Sequence, residues 1–169
     1  MQLPRLLLLA ALGFASVLHA QNQRPPAPPA AAAQFDFWLG EWDVTVPNGK
    51  LAGESRVDKI SDGWGLLENW SSSNGGPGKS LNAYNAAKKQ WQQFWVGAGG
   101  VLELSGGLDA AGHMVLTGET TGPGGHQTIE RITWSPNRDG SVRQHWEQST
   151  DAGVTWTTAF DGLYRRKSP

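Results

Sequence analysis

One acidic side chain of this sequence stands among tryptophans. Glu68 alternates with Trp64 and Trp70, so these side chains share one face if the segment is a strand. A carboxyl group desolvated by aromatic rings has a raised pKa, which makes Glu68 a candidate proton donor or ligand anchor. Two alternatives stay open: Glu68 lies at a solvated rim, or it pairs with Arg131.

Two amide side chains also lie in aromatic company. Gln93 stands between Trp91 and Trp95, and Gln144 is next but one to Trp146. A cavity with tryptophan walls and a few polar tips suits a small molecule that has an apolar face and hydroxyl or carboxylate groups. The alternative is that several of these rings simply fill a small barrel. The predicted ligand-binding residues are Glu68, Trp70, Trp95, Arg131, Gln144 and Trp146.

The sequence predicts no metal site and no cofactor. Past the N-terminal segment it has three histidines, His113, His126 and His145, without the H-x-H or H-x-x-x-H spacing of metal ligands, and it has no cysteine. His145 shares the parity of Arg143 and Glu147, which indicates the outer face. No nucleophile elbow, P-loop or dinucleotide-binding motif is present, so we assign no catalytic residue.

Composition excludes several classes of partner. The chain has 169 residues and a net charge of −1, which gives no electrostatic basis for binding nucleic acid or an anionic membrane. Without cysteine it is not a disulfide scaffold, a zinc ribbon or a cysteine-dependent enzyme. The oligomeric state stays open.

The N-terminal segment predicts export. Arg5, the apolar run Leu6 to Val17 and Ala20 form a pattern typical of a secretory signal peptide, and the run is too short for a membrane span. We therefore expect a signal peptide over residues 1–20, a flexible Pro/Ala-rich linker over 21–34 and one domain over 35–167, in the periplasm or secreted.

The remaining chain predicts an all-β fold. Nine clusters rich in Gly, Asn, Asp and Pro recur every ten to fifteen residues, and each has the composition of a hairpin turn. Nine turns predict about ten strands in an up-and-down order, and closure of such a meander into a single antiparallel barrel removes its edges. Helix is limited to short turns, at Phe35 to Leu39 and at Asn85 to Gln90.

Two motifs at the chain ends indicate how the barrel closes. Gly40-x-Trp42 opens the first strand and Tyr164-Arg165-Arg166 ends the last. The pair resembles the calycin signature, in which an arginine of the closing strand covers a tryptophan at the barrel floor. We predict that Arg165 is this arginine. We also predict that the side chains of Trp42, Val44 and Val46, which alternate along the first strand, point into the barrel.

A third motif predicts a hairpin. Residues 149–156, STDAGVTW, resemble the Asp-box of sialidase propellers. In that motif the Asp carboxylate accepts backbone N–H groups, the glycine supplies an unusual φ and the tryptophan packs beneath the turn. One copy in a short chain implies a local hairpin, not a propeller.

Longer segments resemble a family of exported bacterial domains. They are FDFWLGEWDV, GKSLNAYNAAKKQWQQFWVG, RITWSPNRDGSVRQHWEQSTDAGVTW and FDGLYRRK, within Phe35 to Lys167. The resemblance implies a calycin-like barrel related in shape to lipocalins and nitrobindins, and implies no reaction. The haem-binding histidine of nitrobindins lies close to the final strand, whereas His145 lies one strand earlier.

Three functions follow as expectations. The first is a binding protein that holds a small amphipathic or hydrophobic molecule in the barrel. The second is a barrel enzyme with Glu68 as acid or base and Arg131 as anion anchor. The third is a structural or interaction module whose outer surface acts.

Overall fold

A computed structural model describes residues 26–167 of the chain. The predicted signal peptide and the first five residues of the predicted linker lie outside the described residues. The strands are β1 (Gly40–Thr45), β2 (Leu51–Ile60), β3 (Gly65–Ser72), β4 (Pro77–Asn85), β5 (Gln90–Gly97), β6 (Gly100–Leu108), β7 (Met114–Thr121), β8 (Gln127–Pro136), β9 (Val142–Ser149) and β10 (Thr157–Arg166). Short 3-10 helices span Ala30–Ala33, Asp36–Trp38, Ser61–Gly63 and Pro123–Gly125.

The ten strands form one closed antiparallel barrel. Each strand pairs with the next along the chain, and β1 pairs with β10 to close the sheet, with Val44 opposite Tyr164. The fold class predicted from the nine turns is therefore confirmed. The predicted helical turn at Phe35 to Leu39 is present as a 3-10 helix, whereas residues 86–89 form only the β4–β5 turn.

Residues 35–38, just before β1, fill one end of the barrel, which we call the floor. Phe35 and Trp38 are fully buried, and Phe35 packs against Trp91 and Trp134. The Nε1 atom of Trp42 donates a hydrogen bond to the Trp38 carbonyl at 3.0 Å. Burial of several large aromatic side chains makes the floor the main apolar core of the domain.

The ordered domain begins before Phe35. Ala30–Ala33 forms a 3-10 helix, and Ala32 is buried. The C-terminal end of the segment predicted as a linker therefore packs against the barrel. Within residues 26–167, no helix has the length and apolar character needed to cross a bilayer.

Arg166, and not Arg165, covers the floor tryptophan. The guanidinium carbon of Arg166 lies 4.5 Å from the ring centroid of Trp42, and Nη1 donates to the Leu39 carbonyl at 3.1 Å. Gly40 leaves room for this contact, because a methyl group there would lie 2.4 Å from Nη1 of Arg166. The position of Arg166 opposite Trp42 in the β1–β10 register explains the difference from the expectation.

The hairpin between β9 and β10 has the predicted geometry. Asp151 accepts hydrogen bonds from the backbone N–H of Thr155 and the hydroxyl of Ser149, both at 2.8 Å. Gly153 has a φ of 86°, and its carbonyl accepts from Nε1 of Trp156. Hydrogen bonds, first those from Thr155, lower the pKa of Asp151 to about 2.

Candidate functional site

A cavity of about 470 Å³ occupies the end of the barrel opposite the floor, which we call the mouth. Its lining residues are Val46, Lys50, Leu51, Ala52, Glu68, Trp70, Ser72, Asn74, Gln93, Trp95, Leu102, Ile132, Gln144, Trp146, Ala159, Phe160 and Tyr164. Most of these side chains are apolar or aromatic. Buried polar groups lie deeper, and the exposed residues Lys50, Leu51 and Ala159 lie at the rim.

The aromatic rings of the cavity wall pack directly against inward-facing glycines. A methyl group at Gly53 would lie 2.8 Å from Cζ2 of Trp70, and one at Gly78 would lie 2.2 Å from Cη2 of Trp95. Likewise, a methyl group at Gly162 would lie 2.5 Å from Cε1 of Phe160. Because each glycine lacks a side chain, each ring can lie along the barrel wall and the centre of the cavity stays open.

Glu68 is the deepest charged group of the cavity. Its side chain is only 4% exposed, and it accepts hydrogen bonds from the hydroxyls of Ser55 and Ser80, both at 2.9 Å. Burial raises the pKa of Glu68 to about 7, and the two serine hydroxyls partly offset this effect. The group therefore changes charge near neutral pH, as its aromatic neighbours in the sequence indicate.

A chain of buried amides leads from the cavity to Glu68. Nε2 of Gln93 donates to Oδ1 of Asn82 at 2.8 Å, and Nδ2 of Asn82 donates to Oγ of Ser80 at 2.9 Å. Ser80 then donates to Glu68, so all three hydrogen bonds point toward the carboxyl group. Gln93 is 5% exposed, and its Oε1 atom has no hydrogen-bond partner among the described residues.

Gln144 lies on β9 and also lines the cavity. Its Oε1 atom accepts a short hydrogen bond from the hydroxyl of Tyr164, whose pKa is raised well above its usual range by burial and by the charge of Glu68. Nε2 of Gln144 makes no hydrogen bond within residues 26–167. The cavity thus presents a free amide oxygen at Gln93 and a free amide N–H group at Gln144.

A second buried carboxylate lies behind Trp146. Glu130 is 2% exposed and accepts hydrogen bonds from Nε1 of Trp146 at 2.6 Å, from Thr120 at 2.8 Å and from Gln148 at 3.1 Å. Glu130 does not itself line the cavity. Its carboxylate instead fixes the indole of Trp146 in the cavity wall.

Arg131 does not line the cavity, and its expected pairing with Glu68 is wrong. It lies on the outer face, where Nη2 is 3.0 Å from Glu147 and the guanidinium stacks 3.7 Å above the ring of Trp156. The side chains of β8 that point into the barrel are those of Glu130, Ile132 and Trp134. Alternation therefore turns Arg131 outward.

The structure brings five of the six predicted residues into one cavity: Glu68, Trp70, Trp95, Gln144 and Trp146. Sequence reasoning missed the polar residues behind the wall: Ser55, Ser80, Asn82 and Glu130. Ser55, Ser80 and Asn82 could have been found in the sequence, because they are polar residues at positions of the predicted strands that point inward. Trp64 lies in the β2–β3 turn and not in β3.

Titratable groups in the cavity are few. Among its described lining residues, Glu68 is the only carboxyl group, and there is no histidine. His145 lies on the outer face, with Nε2 3.0 Å from the hydroxyl of Thr158. Residues 26–167 contain no group of three or more histidine or acidic side chains placed to hold a metal ion.

Comparison with known proteins adds no assignment. No protein-family model matches this chain, and no curated protein matches it at a significant level. The closed ten-strand antiparallel barrel is consistent with a calycin-like fold. The cavity geometry is therefore the basis for a functional conclusion.

Proposed function

We propose that this protein is a binding protein that holds a small amphipathic or hydrophobic molecule inside the barrel. The observation that carries the proposal is the cavity of about 470 Å³, whose aromatic walls are held back by inward-facing glycines. Its volume lies within the range of about 300–1,000 Å³ typical of small-molecule sites. Free amide groups of Gln93 and Gln144 supply hydrogen bonds that orient a ligand.

The arrangement of the walls supports binding over simple core filling. A barrel filled by its own side chains gains most when the rings meet at the centre. Here Trp70, Trp95 and Trp146 stay only half-buried, while the floor rings such as Trp38 are fully buried. The half-buried rings keep apolar area that a ligand can cover, at about 25 cal/mol per Å².

Binding can be tested with N-phenyl-1-naphthylamine, an uncharged dye whose fluorescence increases in apolar surroundings. We expect saturable binding to the wild-type protein and loss of binding in Ala159→Trp, because Ala159 lies at the rim and the new indole blocks the mouth. Ala110→Trp, in the exposed β6–β7 turn, is the matched control. Equal dye binding by both variants would refute the proposal.

We also propose that the binding domain is exported to the periplasm or beyond. The support is the sequence of residues 1–20, with Arg5 ahead of an apolar run that ends near Ala20. Expression of the full chain in a Gram-negative host, followed by mass spectrometry of the periplasmic fraction, tests this. A mature chain that starts at or near Gln21 supports export, and an uncleaved cytoplasmic chain contradicts it.

A second candidate function, self-association through the outer face, is favoured by one observation. Leu81 lies opposite Phe94, and Val96 lies opposite Val101, with all four side chains pointing outward and about half exposed. Such a patch is typical of an interface. Light scattering tests it: a wild-type dimer that Phe94→Ser dissociates supports the candidate, whereas a wild-type monomer at high concentration rejects it.

A further inference from the structure

We infer that the molecule bound in the cavity carries a cationic ammonium group on an apolar body, and that this group lies between the Glu68 carboxylate and the aromatic rings. The inference rests on the proposed binding function and names the chemical class of its ligand. Three independent features of the site support it: the sign of the buried charges, the faces of the rings and the direction of the hydrogen bonds.

The first feature is the sign of the buried charges. Within residues 26–167, the buried charged side chains are two glutamates, Glu68 and Glu130, with no buried lysine or arginine. The one lysine that lines the cavity, Lys50, is exposed at the rim. A bound cation stabilises the ionised form of a buried carboxyl group such as Glu68, whereas a bound anion opposes it.

The second feature is the aromatic wall. The rings of Trp70, Trp95, Trp146 and Phe160 all line the cavity, and the face of an aromatic ring attracts cations. The face of the Trp146 ring should attract a cation more strongly than the faces of the other three rings. Its N–H group donates to the Glu130 carboxylate at 2.6 Å, and a hydrogen bond to a charged acceptor polarises the donor ring. Glu130 thus acts on a ligand through the ring.

The third feature is the direction of the hydrogen bonds at Glu68. Its two oxygens accept one hydrogen bond each, from Ser55 and Ser80, although an ionised carboxylate has about four lone-pair sites. The buried Gln93 also leaves its Oε1 atom without a partner among the described residues. This region of the cavity therefore has spare acceptors and favours a ligand that donates N–H groups or carries positive charge.

Three probes of similar shape separate charge from size. Benzyltrimethylammonium is a cation, neopentylbenzene is its uncharged analogue and phenylmethanesulfonate is an anion with the same ring and a tetrahedral head. Displacement of N-phenyl-1-naphthylamine at pH 8 measures the affinity of each. We expect the cation to bind about tenfold more tightly than the uncharged probe, and the anion to bind most weakly.

The Glu68→Gln variant tests the assigned group. Its amide can still accept from Ser80 and can donate to Ser55, so the internal hydrogen bonds are retained. We expect the roughly tenfold preference for the cation over neopentylbenzene, which has neither charge nor N–H group, to disappear in Glu68→Gln. Cooperative urea unfolding of Glu68→Gln shows that the variant is folded, and direct dye titration of each protein supplies the dye affinity used in the displacement analysis.

The outcomes separate the two proposals. If the dye and all three probes fail to bind the wild-type protein, the proposed binding function is wrong. If the dye binds but the cation has no advantage over neopentylbenzene, or if the anion binds most tightly, the function stands and the inferred ligand class is wrong. A cation advantage that Glu68→Gln leaves intact also overturns the role of Glu68.

Discussion

The indole ring of Trp95 lies against the backbone of Gly78, so closely that a methyl group on Gly78 would be 2.2 Å from Cη2 of the ring. This contact lies between neighbouring strands β4 and β5, on the inner wall of the barrel. No real methyl group tolerates that distance, so any larger residue at position 78 must move the ring toward the centre.

Gly78→Ala is therefore expected to reduce the cavity. The displaced Trp95 ring should weaken dye binding by about tenfold and destabilise the fold by about 1–3 kcal/mol. Gly107→Ala is the matched control, because a methyl group at this strand glycine meets no atom within 4 Å. Dye titration and urea unfolding of both variants provide the measurement. Wild-type dye affinity in Gly78→Ala would contradict the assigned role of the glycine.

Glu68 predicts a pH dependence of stability. Its pKa rises from an ordinary value of 4.5 to about 7 in the folded state, so between these values the folded chain holds a proton that the unfolded chain has lost. The resulting stabilisation is complete below pH 4.5 and disappears as the pH rises through about 7, with an amplitude of about 3 kcal/mol. Urea unfolding at pH 5 and pH 8 measures it.

The Glu68→Gln variant is the control for this effect, because an amide does not titrate. The difference in the free energy of unfolding between pH 5 and pH 8 should be smaller in Glu68→Gln than in the wild-type protein by most of that amplitude. An identical pH dependence in both proteins would show that Glu68 is not the titrating group.

Arg166 and its neighbour offer a direct comparison at the floor. Arg166→Met removes the guanidinium from the Trp42 ring and a hydrogen bond to the Leu39 carbonyl. We expect a loss of about 1 kcal/mol in the free energy of unfolding, since an exposed cation–π contact contributes about 0.5–1 kcal/mol. Arg165→Met, on the outward-facing side chain, should have a smaller effect. A larger loss for Arg165→Met would reverse the assignment.

The β9–β10 hairpin should depend on one carboxylate. Asp151→Asn weakens the acceptor of the Thr155 N–H group, so the Thr155 amide should exchange its hydrogen faster. The exposed Glu103→Gln on β6 is the control and should leave this exchange unchanged. In the wild-type protein, the contribution of Asp151 is present above its ordinary pKa of 3.8 and is lost as the pH falls through about 2.

The turns were predictable from the sequence because their chemistry is local. Each of the nine clusters of Gly, Asn, Asp and Pro marks a link between consecutive strands, and closure follows from the need to pair the edges. The inward direction of Glu68, Gln93 and Gln144 was also predictable, because each alternates with aromatic residues on its own strand.

The parity of β8 was not predictable from alternation alone. Both of its faces carry β-branched side chains, Ile129 and Thr133 on one and Ile132 on the other, so the pattern has no clearly polar side. Only the packing of Trp134 under Phe35 at the floor decides which face is buried. That choice turns Glu130 inward and Arg131 outward.

The glycine composition was a second point that the sequence left unresolved. The turn-like clusters predict glycine mainly in turns, and several glycines do lie there with positive φ, such as Gly49 and Gly153. Gly53, Gly78 and Gly162, however, lie within strands and face inward. Their role depends on the tilt of a ring from a neighbouring residue, which local sequence does not encode.

The filled floor gives the barrel a blind end. Within residues 26–167, Phe35 and Trp38 occupy the base, and the cavity opens at the opposite end, where Leu51 and Ala159 form part of the rim. For the proposed small-molecule ligand, this geometry implies that one terminus enters first and that the other stays next to the rim. Under the proposed function, selectivity falls on the terminus of the small molecule that reaches the base of the cavity first.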